Sequence, residues 1–194
     1  MPISFSGGGS GLPYLRYSPQ ANVWAIKTDA GATPFDPGDG PIVFDVERMV
    51  MGWLTIIDGS RDWQPWASFS ARTKHPGGEA KQGFLMHCYA PKLFGVDQVY
   101  EFCANATACT RFAEMLFNAT EKQHGKGQVP LVQITGAKAI KIGKGNTKEV
   151  QFQVTKWVDR PAKLEEVAAQ AVEDEPVETA KPAAKQSAFA DAEF

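Results

Sequence analysis

The sequence has few cysteines and no long apolar run, and both features limit the classes of protein to which it can belong. Its 194 residues contain only three cysteines, Cys88, Cys103 and Cys109, without paired spacing. They predict reduced thiols rather than a disulfide framework. No window approaches the roughly 20 apolar residues that cross a bilayer, and no basic start precedes an apolar stretch as in a secretory signal. We therefore expect a cytoplasmic protein without a membrane partner.

The motifs of common catalytic and metal sites are also missing. The three histidines and three cysteines show none of the Cys-x-x-Cys, His-x-x-x-His or His-x-Glu spacings. Gly-x-Ser-x-Gly and Walker-type phosphate loops are absent as well. We predict a protein that is not an enzyme and needs no cofactor or metal. A metal-dependent hydrolase or nuclease that uses His75 or His87 is kept as an alternative.

Charge is divided unevenly along the chain. Residues 1–163 hold 18 Lys and Arg against 14 Asp and Glu, whereas residues 164–194 hold 2 against 8. A basic body with an acidic tail indicates a nucleic-acid or other anionic partner. The tail could compete for a basic groove, and its end could bind partner proteins through Asp191, Glu193 and Phe194. A tail that serves solubility alone is the alternative.

The order of the predicted elements indicates a small barrel. Aromatic and β-branched residues, with 18 Gly and 13 Pro, are typical of a β-rich domain with many turns. Strands are predicted in Tyr14–Thr28, Ile42–Ile57, Trp63–Thr73, Gly83–Ala90, Pro130–Ile142 and Glu149–Val158, and a helix over Thr107–Lys122. We predict a mainly β domain over residues 1–163. It is an oligonucleotide-binding (OB) fold-like, partly open five-stranded barrel with one helix. Residues 164–194 are predicted to be a disordered acidic tail.

Alternation along two neighbouring strands predicts a binding face. Ala67, Phe69 and Ala71 should be buried, which leaves Trp66, Arg72 and Lys74 on the outer face. In the next strand Phe84, Met86 and Cys88 should be buried, with Leu85, His87 and Tyr89 outside. An exposed ring beside cations suits single-stranded nucleic acid, because bases stack on rings and cations follow phosphates. The predicted DNA-binding residues are Trp66, Arg72, Lys74, Lys81, Tyr89 and Lys92. We place Trp63 inside the domain, and the alternative is that Trp66 packs under a loop.

The closing hairpin carries a second basic surface. Its predicted DNA-binding residues are Lys138, Lys141, Lys144, Lys148, Lys156 and Trp157. Val150, Phe152 and Val154 should face inward, and Trp157 outward with Thr155. The alternative is that these lysines only keep an edge strand from pairing with other chains.

Several segments resemble the single-stranded DNA-binding proteins of tailed bacteriophages. They are VPLVQITG from Val129, IGKG from Ile142, VQF from Val150, WV from Trp157 and the end DAEF from Asp191. The resemblance implies a sequence-tolerant single-stranded DNA-binding protein that acts in phage DNA replication and recombination inside a bacterial host. It also implies that the tail recruits polymerase, helicase or primase and competes with DNA. A phage structural or assembly accessory with a β-barrel body, RNA as the ligand, and a homodimer all stay open.

Overall fold

Ten β-strands and three α-helices form the described chain, which in this computed structural model comprises residues 11–28, 30–57, 60–142 and 145–173. The strands are β1 (Tyr14–Ser18), β2 (Val23–Thr28), β3 (Gly31–Phe35), β4 (Ile42–Phe44), β5 (Val50–Ile57), β6 (Ser60–Pro65), β7 (Lys81–Tyr89), β8 (Val99–Ala104), β9 (Gln128–Ile142) and β10 (Gly145–Asp159). The helices are α1 (Pro91–Phe94), α2 (Thr107–Thr120) and α3 (Ala162–Glu173), and a 3₁₀ turn, Glu121–Gln123, follows α2. None of the described helices has both the length and the apolar character that crossing a bilayer requires.

One long, bent strand organises the sheet. β4 and β5 both pair antiparallel with β7, with Val43 opposite Tyr89 in the first half and Val50 opposite Leu85 in the second. Residues 45–49 make the bend between the two halves. On its other side the strand pairs with β9 before the bend and with β6 after it. The predicted long, bent strand is therefore confirmed.

The connectivity around this strand is OB-like, as predicted. Apart from β6 and the short α1, the bent strand is followed by two antiparallel strands, β7 and β8, then by α2, and then by the β9–β10 hairpin. This is the order of an OB fold, and the sheet curls into an open half-barrel. The predicted count of five strands is too low, because β6 pairs with β5 and because β1, β2 and β3 add an antiparallel meander. β1 joins β8 in parallel at Tyr14 and Glu101, so no described part of β10 pairs with β8.

An aromatic core fills the half-barrel. The Phe112 ring of α2 lies 5.6 to 6.3 Å, between centroids, from the rings of Trp24, Phe44 and Phe102. Offset and edge-on ring pairs at such distances stabilise a core beyond the area that they bury. Leu116, one turn further along α2, is also fully buried. The predicted helix is confirmed with nearly the predicted bounds.

Two irregularities shape the β9–β10 hairpin. The pairing register shifts between Gln151 and Phe152 and again between Val154 and Lys156. At the first shift Gly136 has φ 149°, which only glycine adopts readily, so this bulge requires it. The second shift adds one residue to β10, so the alternation of faces is inverted beyond it. Trp157, opposite Pro130, therefore shares the face of Val154 and is half-buried, which corrects its predicted outward position.

The predicted tail begins too early. Its first ten residues belong to α3, whose Leu164 is 1 % exposed and packs with Val43, Val99 and Val129. Glu165 adds an ion pair to Arg48 at 2.7 Å. A side chain buried this fully contributes to the stability of the domain, so the folded unit extends past Pro161. The remainder of the predicted tail, residues 174–194, lies outside the described residues.

Replacing Leu164 with Ala should lower the free energy of unfolding by about 2–5 kcal/mol, because it leaves a cavity under α3. Urea denaturation followed by circular dichroism measures the change. Glu166→Ala, an exposed position on the same helix, is the control and should stay within about 0.5 kcal/mol of the wild type. Equal stability of Leu164→Ala and wild type would contradict the docking of α3.

Candidate nucleic-acid interface

The segment predicted as the strand Trp63–Thr73 is instead the end of β6 and a long loop. β6 ends at Pro65, which has no N–H to donate to a ladder, and residues 66–80 form the loop, called here the 66–80 loop. β5 lies between β6 and β7, so the predicted hairpin of two adjacent strands is wrong. The alternation of Ala67, Phe69 and Ala71 continued the strand pattern in sequence, but all three residues are exposed.

Trp66 is buried rather than exposed. Only 7 % of its surface is accessible, and its ring lies edge-on against Trp53 with the centroids 5.5 Å apart. Its backbone N–H donates to the Met51 carbonyl at 2.8 Å, which holds it against β5. Trp63 is half-buried and covers Gly52, where a Cβ would lie 2.7 Å from the indole. The exposed position predicted for Trp66 is therefore wrong, because the chain turns onto β5 after Pro65, whereas Trp63, predicted to lie inside the domain, is half-buried.

A cluster of Trp53, Trp66, Arg72 and His75, called here the tryptophan anchor, fixes the 66–80 loop. The Arg72 guanidinium lies 4.7 Å from the Trp66 ring centroid and 5.3 Å from that of Trp53. Trp53 Nε1 donates to the Thr73 carbonyl at 3.0 Å, and His75 packs 4.5 Å from the Trp53 ring. Cation–π contacts of this kind contribute about 0.5–2 kcal/mol each. The loop is therefore anchored in its middle, and Arg72 is still exposed to solvent.

Phe69 is the exposed ring of this region. It is 50 % exposed and lies on a turn in which the Ala71 N–H donates to the Ser68 carbonyl at 3.2 Å. Its ring meets Phe117 of α2 at 5.2 Å between centroids. Phe69 was predicted to lie in the core and Trp66 on the surface, so the positions of the two rings are the reverse of the prediction. The sequence signal for an exposed ring at this position was a phenylalanine in a polar, Ser-rich stretch just after a proline.

Two of the predicted cations, Arg72 and Lys81, lie near Phe69, and a third, Lys74, is on the same loop. Arg72 and Lys74 are exposed on the 66–80 loop, and Lys81 is exposed where β7 begins. Lys81 and Phe69 line the same cavity. Phe69, Lys81 and Arg72 are therefore grouped around one cavity, so that an accessible aromatic ring lies beside cations.

Tyr89 and Lys92 do not belong to this surface. Tyr89 is at the other end of β7, eight residues or roughly 26 Å of strand from Lys81. Its hydroxyl donates to the Asp97 carboxylate at 2.7 Å, which raises the pKa of the phenol. Lys92 is exposed on α1, beyond the same end of the strand. The predicted grouping of these two residues with Trp66 depended on the incorrect hairpin and is wrong.

The lysines of the closing hairpin are spread along it. Lys138 and Lys141 are exposed near its turn, whereas Lys156 is exposed nearer its base and Lys148 is half-buried. The Lys148 carbonyl accepts a hydrogen bond from the Tyr17 hydroxyl at 3.2 Å. Lys144 lies outside the described residues. Two further cations of this stretch are paired with acids, Arg160 with Asp45 and Glu47, and Lys163 with Glu166.

A groove that the sequence analysis missed runs between β1, β8 and the tip of the β5–β6 pair. Its volume is about 520 Å³. Tyr14, Arg16 and Lys27 line it from the β1–β2 side, and Arg16 and Lys27 are exposed. Arg61 lies 3.7 Å over the Tyr14 ring and forms a 2.7 Å ion pair with Glu101. The sequence signal for this groove was the alternation of polar residues with Leu15 and Ile26, which face the core.

The cysteines have the character of structural residues. Cys88 and Cys109 are buried and Cys103 is half-buried. Burial raises the pKa of Cys103 and of Cys109 to about 12, and it also raises that of Cys88, so the thiols stay protonated at neutral pH. Burial lowers the pKa of His87. In the part of the chain that the structure describes, no three His, Cys, Asp or Glu side chains come together as a metal site would need.

The burial of Trp66 and the exposure of Phe69, which reverse the prediction, can be tested by measuring the stability of variants. Trp66→Ala should lower the free energy of unfolding by about 3–5 kcal/mol, because it removes a buried ring. Phe69→Ala should change it by less than about 1 kcal/mol, because that ring is half exposed. Urea denaturation of both variants measures the difference, and a larger loss for Phe69→Ala would contradict the placement described above.

The chain matches no protein-family model, no curated protein and no solved structure. Membership of a family is therefore not established, and the resemblance to phage single-stranded DNA-binding proteins stays a prediction.

Proposed function

We propose that this protein binds single-stranded DNA with little sequence preference and without catalysis. The observation that carries the proposal is the exposed Phe69 ring on an anchored loop beside Arg72, Lys74 and Lys81. A base stacked on an aromatic ring contributes about 1–3 kcal/mol, whichever base it is, and neighbouring cations neutralise the phosphates. The combination suits an unpaired strand, because the bases of a duplex cannot reach such a ring.

The position of the loop in the fold supports the proposal. In OB folds the ligand crosses the second and third strands, flanked by the loop after the first strand and by the turn of the last hairpin. Here the 66–80 loop leads from β6, which pairs with the second half of the bent strand, to β7, and Lys138 and Lys141 lie near the end of β9 where the last hairpin turns. Lys144 lies between the two strands in the sequence. Both loop positions of an OB-type ligand path therefore carry cations.

The groove between β1 and β8 supplies a route between these two regions. β8 is the third strand of the OB-like order, and the groove passes along it. Tyr14 offers a second ring, and Arg16 and Lys27 offer exposed charge. We assign these residues to the interface in addition to those predicted from the sequence, whereas Trp66 acts by anchoring the loop.

The acidic end of the chain has a regulatory role in this proposal. Residues 174–194 hold five acids and two lysines and end in Phe194. Such a segment competes with DNA for the basic surface. When DNA displaces it, Asp191, Glu193 and Phe194 become available to replication proteins such as a polymerase, helicase or primase. The protein would then act in phage DNA replication and recombination.

Binding should depend on the loop cations and on Phe69. Fluorescence anisotropy of a labelled oligo(dT) should give an affinity that falls with salt, with a log–log slope of about −0.7 for each neutralised phosphate. Lys81→Gln should weaken binding and reduce this slope by about 0.7. Phe69→Ala should weaken binding about tenfold without changing the slope, because it removes stacking rather than charge.

Lys163→Gln is the matched control, because Lys163 pairs with Glu166 on α3, and it should bind like the wild type. A salt-independent affinity, or equal effects of the two lysine changes, would count against the interface. An oligo(rU) of the same length tests RNA as the ligand, and tighter binding to it would replace DNA in the proposal.

Deleting residues 174–194 should tighten oligo(dT) binding at low salt, because an internal competitor is removed. The gain should shrink as salt is raised, since the competition is electrostatic. The deletion should start after Glu173, because α3 is part of the folded domain. Unchanged affinity at low salt would refute the competition.

A further inference from the structure

A cavity of about 470 Å³ lies beneath Phe69, between the 66–80 loop, β7 and α2. We propose that this cavity holds one unpaired nucleobase of the bound strand and reads the edge of that base. The inference rests on the proposed function and deepens it: most of the strand is bound with little sequence preference, and the cavity adds one position at which the edge of a base is read. The volume falls in the range of about 300–1,000 Å³ typical of small-molecule sites.

The walls of the cavity suit a flat ring. Phe69 and Phe117 meet at an interplanar angle of 46°, and Met49, Met51 and Phe84 add apolar surface. A heterocycle in this cavity would contact aromatic rings and thioethers, both of which interact favourably with a π-system. Phe84 is fully buried and fixed in the core, while Phe69 is half exposed, so one wall is rigid and the other is open to solvent.

The rim of the cavity carries amide side chains that can pair with a base edge. Gln82, Asn105 and Asn118 line it. Asn105 Nδ2 donates to the Leu54 carbonyl at 3.0 Å, and Gln82 Oε1 accepts from Arg72 at 2.6 Å. Both amides are therefore held in place before a ligand arrives. Amide groups recognise bases through a donor or an acceptor, and the bonds above leave the Asn105 Oδ1 acceptor and the Gln82 Nε2 donor to face a base edge.

Charge at the rim favours a nucleotide over an aromatic side chain of a partner protein. Lys81 lines the cavity, and Arg72 is bonded to its rim residue Gln82, so two cations are ready to hold the adjoining phosphates. Glu114 is the acid among the lining residues, and a carboxylate can accept from the exocyclic amino group of a base. A phenylalanine or tryptophan ring would leave the three amides without a matching edge. The Arg72–Gln82 bond also links phosphate binding to base reading.

Photo-crosslinking locates the base directly. A dT oligonucleotide with a single 5-iododeoxyuridine is bound to the full-length protein and irradiated, and the crosslinked peptides are sequenced by mass spectrometry. We expect crosslinks at Phe69, Phe117 or Met51. Crosslinks confined to the groove, at Tyr14 for example, would overturn the base pocket while leaving DNA binding intact.

Filling the cavity gives an independent test. Thr110 lines the cavity from α2, so Thr110→Leu should occupy it and weaken oligo(dT) binding about tenfold, at an unchanged salt slope. Ala119→Leu adds the same side chain at an exposed position of α2 that does not line the cavity, and it should bind like the wild type. Thermal melting followed by circular dichroism confirms that both variants fold.

The outcomes separate this inference from the function on which it rests. If the wild type does not bind the oligonucleotide at all, both the proposed function and the base pocket fail. If the wild type binds and Thr110→Leu binds equally well, only the base pocket fails. Weaker binding by Thr110→Leu, with Ala119→Leu unaffected and crosslinks in the cavity, supports the pocket.

Discussion

The bend at residues 45–49 determines how the rest of the domain is arranged. The two halves of the bent strand share one edge of β7, so the strand can take a different partner on its other side before and after the bend. β9 joins the first half, which brings the closing hairpin to one end of the sheet. β6 joins the second half, and the chain must then cross back over β5 to reach β7. The 66–80 loop makes that crossing, and it therefore lies beside α2.

Charged side chains hold the bend. Asp45 is 2 % exposed, and Arg160 contacts it at 3.2 Å and Glu47 at 2.8 Å. Burial raises the pKa of Asp45, although Arg160 and Arg48 act in the opposite direction. Burial also acts to raise the pKa of Glu47, but hydrogen bonds from Arg160 and from the Gly125 N–H outweigh it and the pKa is lowered. Removing one partner of such a cluster leaves an uncompensated buried charge, so the bend and the start of α3 depend on each other.

Much of the fold follows from sequence patterns, and the errors have specific causes. The alternation of Phe84, Met86 and Cys88 correctly gives the buried face of β7, because that strand is regular and has a neighbour on each side. Alternation failed at Phe69, where the pattern continued after the strand had ended at Pro65. It failed at Trp157 because a bulge inverts the faces, and a bulge leaves no mark in the sequence at that point.

The candidate site was less predictable than the fold because its residues are far apart in the chain. Tyr14, Arg61 and Glu101 meet only through tertiary packing, and no local pattern relates them. The cavity under Phe69 likewise combines the loop, β7 and α2. The tail boundary was misplaced because the Ala- and Glu-rich composition after Pro161 suits a helix as well as a solvated segment. The sequence signal for α3 was the spacing of Leu164 and Val167, which places both residues on one face of a helix.

The hydrogen bond from the Tyr17 hydroxyl to the Lys148 carbonyl spans 131 residues of sequence. β1 likewise finds its partner β8 only some 85 residues later in the chain, at Glu101. During synthesis the β1–β3 meander therefore leaves the ribosome well before the strands that cover it. Trp24 and Leu15, which end up in the core, stay accessible to chaperones and to other nascent chains in that interval.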